Sequence, residues 1–333
     1  ASDVYKRQIK DVAKRAQVAK STVSLVVNQT GYVSDETRAK VEQAIQELNY
    51  TPSQLGRNLS KNRTNLIGIS IPDVSHPFFG TLVKYIEEAL YQKGYKTMLC
   101  ATVEKENMEQ EFLSMLRSHT MDGIIMGAHS LLQEQYMHLK QPVVAFDRDL
   151  GQGIPLIQAD HIYGGRMAAE MFARHGCRKV VQISGALIVN TPAHQCHVSF
   201  KRALKERGIE THVIEMAHNA FREEDFEQTA KLIFDRYPDV DGIFGADLLI
   251  LASLKEGIRQ GRKIPEELKL LAYDGTYVTR LGPQTIDAVV QPIREMAYAC
   301  AGTMDLLVQG KRVPNMRQVF PVSYQPGAIF GDY

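Results

Sequence analysis

The chain is 333 residues long, 44% hydrophobic and 23% charged, with a formal net charge of +1. That length suits a small domain joined to a larger one. No apolar run is long enough to span a bilayer and residues 1–8 are polar, which argues against a membrane protein or a signal peptide and for a cytoplasmic one.

Charge is spread unevenly. Residues 1–65 hold eleven Lys/Arg against six Asp/Glu, and the remainder 28 against 32. A basic head that meets phosphates and a merely solvated basic surface fit that balance equally well. Four cysteines, Cys100, Cys177, Cys196 and Cys300, lie far apart without CxxC spacing, which argues against a zinc ribbon or a disulfide framework.

In chain order, Ile9–Ala16 reads as a short helix with Val12, Ala13 and Ala16 on one face. Gln17-Val18-Ala19 interrupts the pattern. Lys20–Asn28 resumes it, with Val23, Val26 and Val27 inward and Lys20, Ser21, Thr22, Ser24 and Asn28 between them. A third helix is expected over 35–48, with Ser34 as N-cap, Asp35 and Glu36 in the first turn, and Val41, Ala44, Ile45 and Leu48 buried. Two short helices joined by a three-residue turn, with a third across them, form a helix-turn-helix layout. In such a layout the second helix offers polar residues to base edges in the major groove. Periodicity alone fits a generic three-helix bundle as well.

Residues 53–59 are a short, marginal helix candidate that Gly56 weakens by about 1 kcal/mol, and 61–65 read as a linker. From Leu66 onward, strands are expected at 66–71, 97–101, 123–126, 143–147, 180–184, 213–216, 242–245, 270–273 and 288–291, mostly with helices between them. That alternation predicts a doubly wound parallel sheet. Asp122-Gly123-Ile124-Ile125 and Asp241-Gly242-Ile243-Phe244 look like counterparts, so two similar lobes with a cleft between them are expected. Ligands in open α/β sheets sit beyond the carboxyl ends of the strands. His76, Phe78, Phe79, Asp147, Arg148, Asp274 and Gln291 fall at such ends. Flat aromatic faces suit a sugar ring, and carboxylate, guanidinium and amide groups suit paired hydroxyls.

The residues narrow these readings. Ile9-Lys10-Asp11-Val12-Ala13, Ser21-Thr22-Val23-Ser24 with Asn28, Gly31-Tyr32-Val33-Ser34 with Thr37-Arg38, and Leu48-Asn49-Tyr50-Thr51-Pro52 resemble the lactose-repressor (LacI/GalR) family of transcriptional regulators. The match extends over essentially the whole chain. Ala145-Phe146-Asp147-Arg148, Gly164-Gly165-Arg166-Met167-Ala168-Ala169, His175-Gly176-Cys177 and Tyr273-Asp274-Gly275-Thr276 are most similar to sucrose-operon-type repressors. The resemblance implies a small all-α helix-turn-helix head (9–52), a hinge helix and linker (53–65), and an α/β body (66–333). That body would be two-lobed and periplasmic-binding-protein-like, with doubly wound parallel sheets, and would bind the effector and dimerise. It further implies that Lys20, Ser21 and Ser24 face bases, that Thr22, Asn28 and Tyr32 hold phosphates, and that Leu59 wedges into the minor groove.

For the effector, the resemblance points to His76, Phe78, Phe79, Asp147, Arg148, Cys196, Ala246, Asp274 and Gln291. Cys196 and Ala246 stand where the family carries an Arg and an Asn. A pocket lacking both is expected to bind a simple hexose poorly, with His194 or His197 supplying a donor for a different or larger saccharide. Gln17 where the family has Gly, Ala19 where it has an N-cap Ser, and Leu25 where it often has Arg put the operator sequence in question more than the fold. The partners implied are operator DNA, a saccharide or sugar phosphate and a second copy of the chain, with no cofactor, metal or membrane.

No GxSxG, P-loop, HExxH or intact GxGxxG motif supports an enzyme. His194-Gln195-Cys196-His197 is a weak metal candidate, since adjacent ligands of this kind seldom wrap one ion. Two other classes compete. A secreted sugar-binding receptor would share the body but not residues 9–60. A regulator controlled by a phosphocarrier protein would bind no sugar.

Overall fold

A computed structural model describes residues 7–51, 63–103, 108–129 and 133–330. The chain divides into two compact units, Ala1–Asn65 and Leu66–Tyr333. The hinge segment 53–60, with Leu59, falls outside the described residues.

The first unit holds three helices, Ile9–Ala16, Lys20–Asn28 and Asp35–Glu47. The first ends because Gln17 turns left-handed (φ 54°, ψ 42°), which lets the chain reverse into the next helix. A non-glycine residue pays roughly 1 kcal/mol for that conformation. Ser34 caps the third helix by accepting from the Thr37 N–H at 3.4 Å. Val12, Val23 and Val41, one from each helix, are fully buried against each other, and Tyr50 closes the cluster.

The second unit contains two six-stranded sheets. Chain order gives β1 Leu66–Ile71, β2 Lys96–Ala101, β3 Gly123–Met126, β4 Val143–Phe146, β5 Leu156–Ala159, β6 Lys179–Ser184, β7 Glu210–Glu215, β8 Gly242–Ala246, β9 Lys269–Asp274, β10 Ala288–Val290, β11 Arg317–Phe320 and β12 Ser323–Gln325. The first sheet runs β11-β5-β4-β3-β1-β2 and the second β12-β10-β9-β8-β6-β7. These are the same topology, with β1 to β5 answering β6 to β10 and β11 answering β12. All pairings are parallel except β10 with β12. The counterpart motifs behave alike: Asp122 N–H bonds the Leu66 carbonyl at 2.8 Å, and Asp241 N–H bonds the Lys179 carbonyl at 3.0 Å. Each motif's glycine sits where a helix crosses the sheet closely, under Met304 at Gly123 and under Phe172 at Gly242.

The chain passes between lobes three times: after β5 into the helix His161–Arg174, after β10 into the helix Ile293–Val308, and between β11 and β12. The helix Ile293–Val308 packs on Pro77–Gln92 of the first lobe, whereas His161–Arg174 packs on His194–Glu206 of the second. β5, β11 and β12 were not expected from the sequence. They are three or four residues long and β11 and β12 lie at sheet edges. A half-exposed edge strand such as Arg317-Gln318-Val319-Phe320 shows no long apolar run.

Candidate functional site

Between the lobes lies a cavity of about 200 Å³ at the carboxyl ends of both sheets. From the first lobe come His76, Phe78 and Phe79, from the loop after β1 and the helix start that follows it, and Gly127, His129, Phe146 and Asp147 from the ends of β3 and β4. The second lobe supplies, among others, Thr191, His194, His197, Asn219, Phe221, Ala246, Tyr273, Asp274 and Gln291. Pro77 begins its helix at the first position, where a missing N–H costs nothing, and so directs His76 and Phe79 inward.

Two carboxylates face each other across the lobes in equivalent places, at the ends of β4 and β9. Both sit on left-handed backbone, Asp147 at φ 50° and Asp274 at φ 121°. Asp274 is buried and accepts from Gln291 Nε2 at 2.7 Å. Burial, with repulsion from Asp247 added, holds its carboxyl well above the usual range. Asp147 instead binds His161 Nε2 at 2.7 Å, while His161 Nδ1 meets the Tyr273 hydroxyl at 2.7 Å. An ionised Asp147 only accepts, so Nε2 carries the proton and Nδ1 accepts from Tyr273 O–H. His161, on the helix just past the first crossover, therefore ties the first lobe to the second. Thr191 Oγ1 adds a second tie by donating to the Asp147 carbonyl at 2.7 Å, and His218 Nε2 bonds the His129 carbonyl oxygen at 2.9 Å.

Of the residues expected at this site, the structure brings His76, Phe78, Phe79, Asp147, Ala246, Asp274 and Gln291 to the cavity and leaves two behind it. Arg148 is buried just outside the cavity lining, with its charge interacting with Glu109, Tyr136 and Asp147. Burial lowers the Arg148 pKa to about 10, with Glu109 opposing the shift. Cys196 lies fully buried near Tyr273, and burial pushes its thiol well up. It does not line the cavity. Asp247, beside Ala246, also looks inward to the fold: it accepts from Thr276 Oγ1 at 2.6 Å, Thr276 N at 2.7 Å and Gly275 N at 3.1 Å, and so fixes the loop that carries Asp274.

Sequence reasoning missed His129, His161, Phe221 and Tyr273. Only Tyr273, next to a strand-end carboxylate, carried a usable signal. Burial keeps His76, His129 and His197 neutral, lowering them to about 4, 3 and 4. His194 Nε2 is engaged by the Val189 carbonyl at 2.8 Å. Cys196 and the two histidines beside it thus diverge, and among the described residues no cluster of His, Cys, Asp or Glu is placed to hold a metal ion.

In the head, Lys20 and Ser21 are exposed at the start of the second helix, and Tyr32 is 92% exposed. Thr22, Ser24 and Asn28 are half-buried, and Asn28 Nδ2 donates to Ser24 Oγ at 3.1 Å. Ala19 provides no side-chain cap and no acid stands in the first turn. The first N–H groups of that helix are left for an outside acceptor, which is the arrangement that binds phosphate.

Residues 8–53 match the bacterial regulatory proteins of the lacI family, and residues 64–296 match the periplasmic binding proteins and sugar binding domain of the same family. The chain belongs to the lacI family. It is a DNA-binding transcriptional regulator. The sucrose operon repressor of Streptococcus mutans is 34% identical over 87% of this chain and 89% of its own. The ribose operon repressor of Halalkalibacterium halodurans is 32% identical over 94% of each. Among solved structures, a regulator from Alkaliphilus metalliredigens complexed with D-xylulofuranose is 27% identical, with a TM-score of 0.72 over 80% of this chain and 99% of that one. The lac repressor dimer bound to operator has a TM-score of 0.83 at 21% identity, over 98% of this chain and 99% of that one, and so shares the fold. No described helix of the regulator is long and apolar enough to cross a membrane.

Proposed function

We propose that the regulator is a cytoplasmic, non-enzymatic repressor of a carbohydrate-utilisation operon. It acts as a homodimer on a two-fold operator, and a saccharide held between the lobes sets its DNA affinity. The division into a head (9–52), a hinge (53–65) and an effector-binding, dimerising body (66–333) is part of this proposal. The carrying observation is the cavity itself. Opposed carboxylates from equivalent strand ends enclose it, and His76 Nδ1, His197 Nδ1, Asn219 Oδ1 and Gln291 Oε1 lie buried there without a protein partner. Unpaired buried polar atoms are costly, and a ligand rich in hydroxyls supplies both donors and acceptors to them. The relatives named for sucrose and ribose operons, and the neighbour that holds D-xylulofuranose, support the same class.

On DNA, Lys20, Ser21 and Ser24 read bases, Thr22, Asn28 and Tyr32 hold phosphates, and Leu59 wedges into the minor groove. Selection of bound duplexes from a random pool tests this. Symmetric half-sites are expected. Lys20→Ala or Ser21→Ala should change the preferred base, whereas Tyr32→Ala should weaken all sequences alike. An unsymmetrical site bound by a monomer overturns the reading.

A further inference from the structure

The charge and size of the cavity go further than the word saccharide. Its titratable lining consists of Asp147, Asp274, Tyr273, His76, His129, His194 and His197, and among the described residues no Lys or Arg lines it. The nearest guanidinium in sequence, Arg148, does not line it, and its charge is shared among Glu109, Tyr136 and Asp147. Arg280 is engaged elsewhere, by the Gly275 carbonyl and Gln325 Oε1. Burial keeps three of the four imidazoles neutral at pH 7. A phosphate ester would therefore bring negative charge into a cavity whose described lining offers no cation to pair with it directly, and desolvating an unpaired charge is expensive.

Gln291 Oε1 and Asn219 Oδ1 are unpartnered acceptors at the cavity, to which sugar hydroxyls can donate.

Size sets a second limit. A cavity of 150 Å³ takes up one benzene-sized ring, and the cavity here measures about 200 Å³. That volume suits one sugar ring with its hydroxyls, a smaller ligand than the larger saccharide expected from the sequence.

One wall of the cavity is aromatic. His76, Phe79, His129 and Phe221 form a closed circuit, with centroids 5.5 Å apart for His76–Phe79, 5.9 Å for Phe79–His129, 5.5 Å for His129–Phe221 and 5.6 Å for His76–Phe221. Three of these come from the first lobe and Phe221 from the second. The circuit seals one side of the cavity with flat faces suited to the C–H side of a sugar.

Resting on the saccharide reading above, we infer that the effector is an uncharged one-ring saccharide and that the site rejects its phosphate ester and two-ring sugars. The test is calorimetry on the full chain with three matched sets of probes. The first is D-glucose, D-fructose, D-ribose and D-xylose. The second is glucose 6-phosphate, fructose 6-phosphate and ribose 5-phosphate. The third is sucrose and cellobiose. At least one neutral monosaccharide should bind, and its phosphate ester at least about tenfold more weakly, a difference of about 1.4 kcal/mol. An ester that binds equally or better overturns the charge argument, and a disaccharide that binds better overturns the size argument. Either result leaves the saccharide reading standing. Failure of all three sets to bind overturns that reading and this inference together.

Discussion

The two lobes of the body share one strand order and one placement of a carboxylate on left-handed backbone, yet they use those carboxylates differently. Asp147 of the first lobe is spent on structure: its side chain is held by His161 and its carbonyl by Thr191, both from the second lobe. Asp274 of the second lobe is paired only with its neighbour Gln291, whose Oε1 remains open to the cavity. Repetition of topology fixed where acids can stand, and the contacts around each decide what it does. One acid has become a clasp between lobes and the other faces the cavity.

The largest expected effect is on pH dependence, where the buried histidines, two of them in the first lobe, should separate from the buried carboxyls of the second. The first lobe contributes His76 and His129, both lowered by burial, with Arg148, His218, His76 and His194 adding repulsion at His129. Groups lowered in the folded state contribute stability that is present above their ordinary value near 6.5 and lost as pH falls through about 4 and 3. His197 of the second lobe behaves in the same way. That lobe also carries Asp274 and Asp247, both raised by burial. Their contribution has the opposite sign: it is present below the ordinary carboxylate value and lost as pH rises through the raised one. Melting temperature followed from pH 8 to pH 3 should fall at the acid end, and His129→Gln should flatten that fall. Asp274→Asn should act on the other side, flattening the loss as pH rises. A His129→Gln profile that overlays the parent would break the distinction.

The second effect is the comparison of the two carboxylates. Asp274→Ala removes a ligand-facing group and should lower effector affinity by roughly 10- to 150-fold, equivalent to about 1.5–3 kcal/mol. It relieves a buried carboxyl held above its usual range but strands the Gln291 Nε2–H, and the two oppose each other, so the melting temperature should change little. Asp147→Ala should show the reverse emphasis. It strands the buried His161 Nε2–H and should cost about 1–3 kcal/mol of stability in chemical denaturation. If both substitutions damage affinity and stability to the same degree, the division of labour proposed for the lobes is wrong.

This division was only partly legible in the sequence. Asp147 and Asp274 were visible because an acid follows an apolar strand in each lobe. The three head helices were legible almost to the residue, since Gln17, Ser34 and the valine spacing act locally. His161 was not legible: its partners lie 14 and 112 residues away, in different lobes. Nor was the burial of Arg148, whose partners Glu109 and Tyr136 come from other elements. The short strands β5, β11 and β12 are defined by their pairing rather than by their own residues, and β11 reaches β5 across more than half of the body.

The smallest effect concerns the matched glycines, Gly123 and Gly242, which stand at the same point of the repeated topology. A Cβ at Gly123 would lie 2.4 Å from Met304 Sδ, and one at Gly242 would lie 2.8 Å from the ring of Phe172. The shorter contact should be the cheaper one. Met304 is a flexible, unbranched side chain that can change rotamer. Phe172 is fully buried and wedged between the rings of Phe200 and Phe330, with centroids 5.8 and 5.4 Å away. Moving that ring displaces two others, and overpacking of this kind costs about 1–3 kcal/mol. Gly242→Ala should therefore destabilise the body by about that amount in urea unfolding, and Gly123→Ala by clearly less. Equal losses would show that the helix Ile293–Val308, which carries Met304, holds the first lobe as rigidly as Phe172 holds the second.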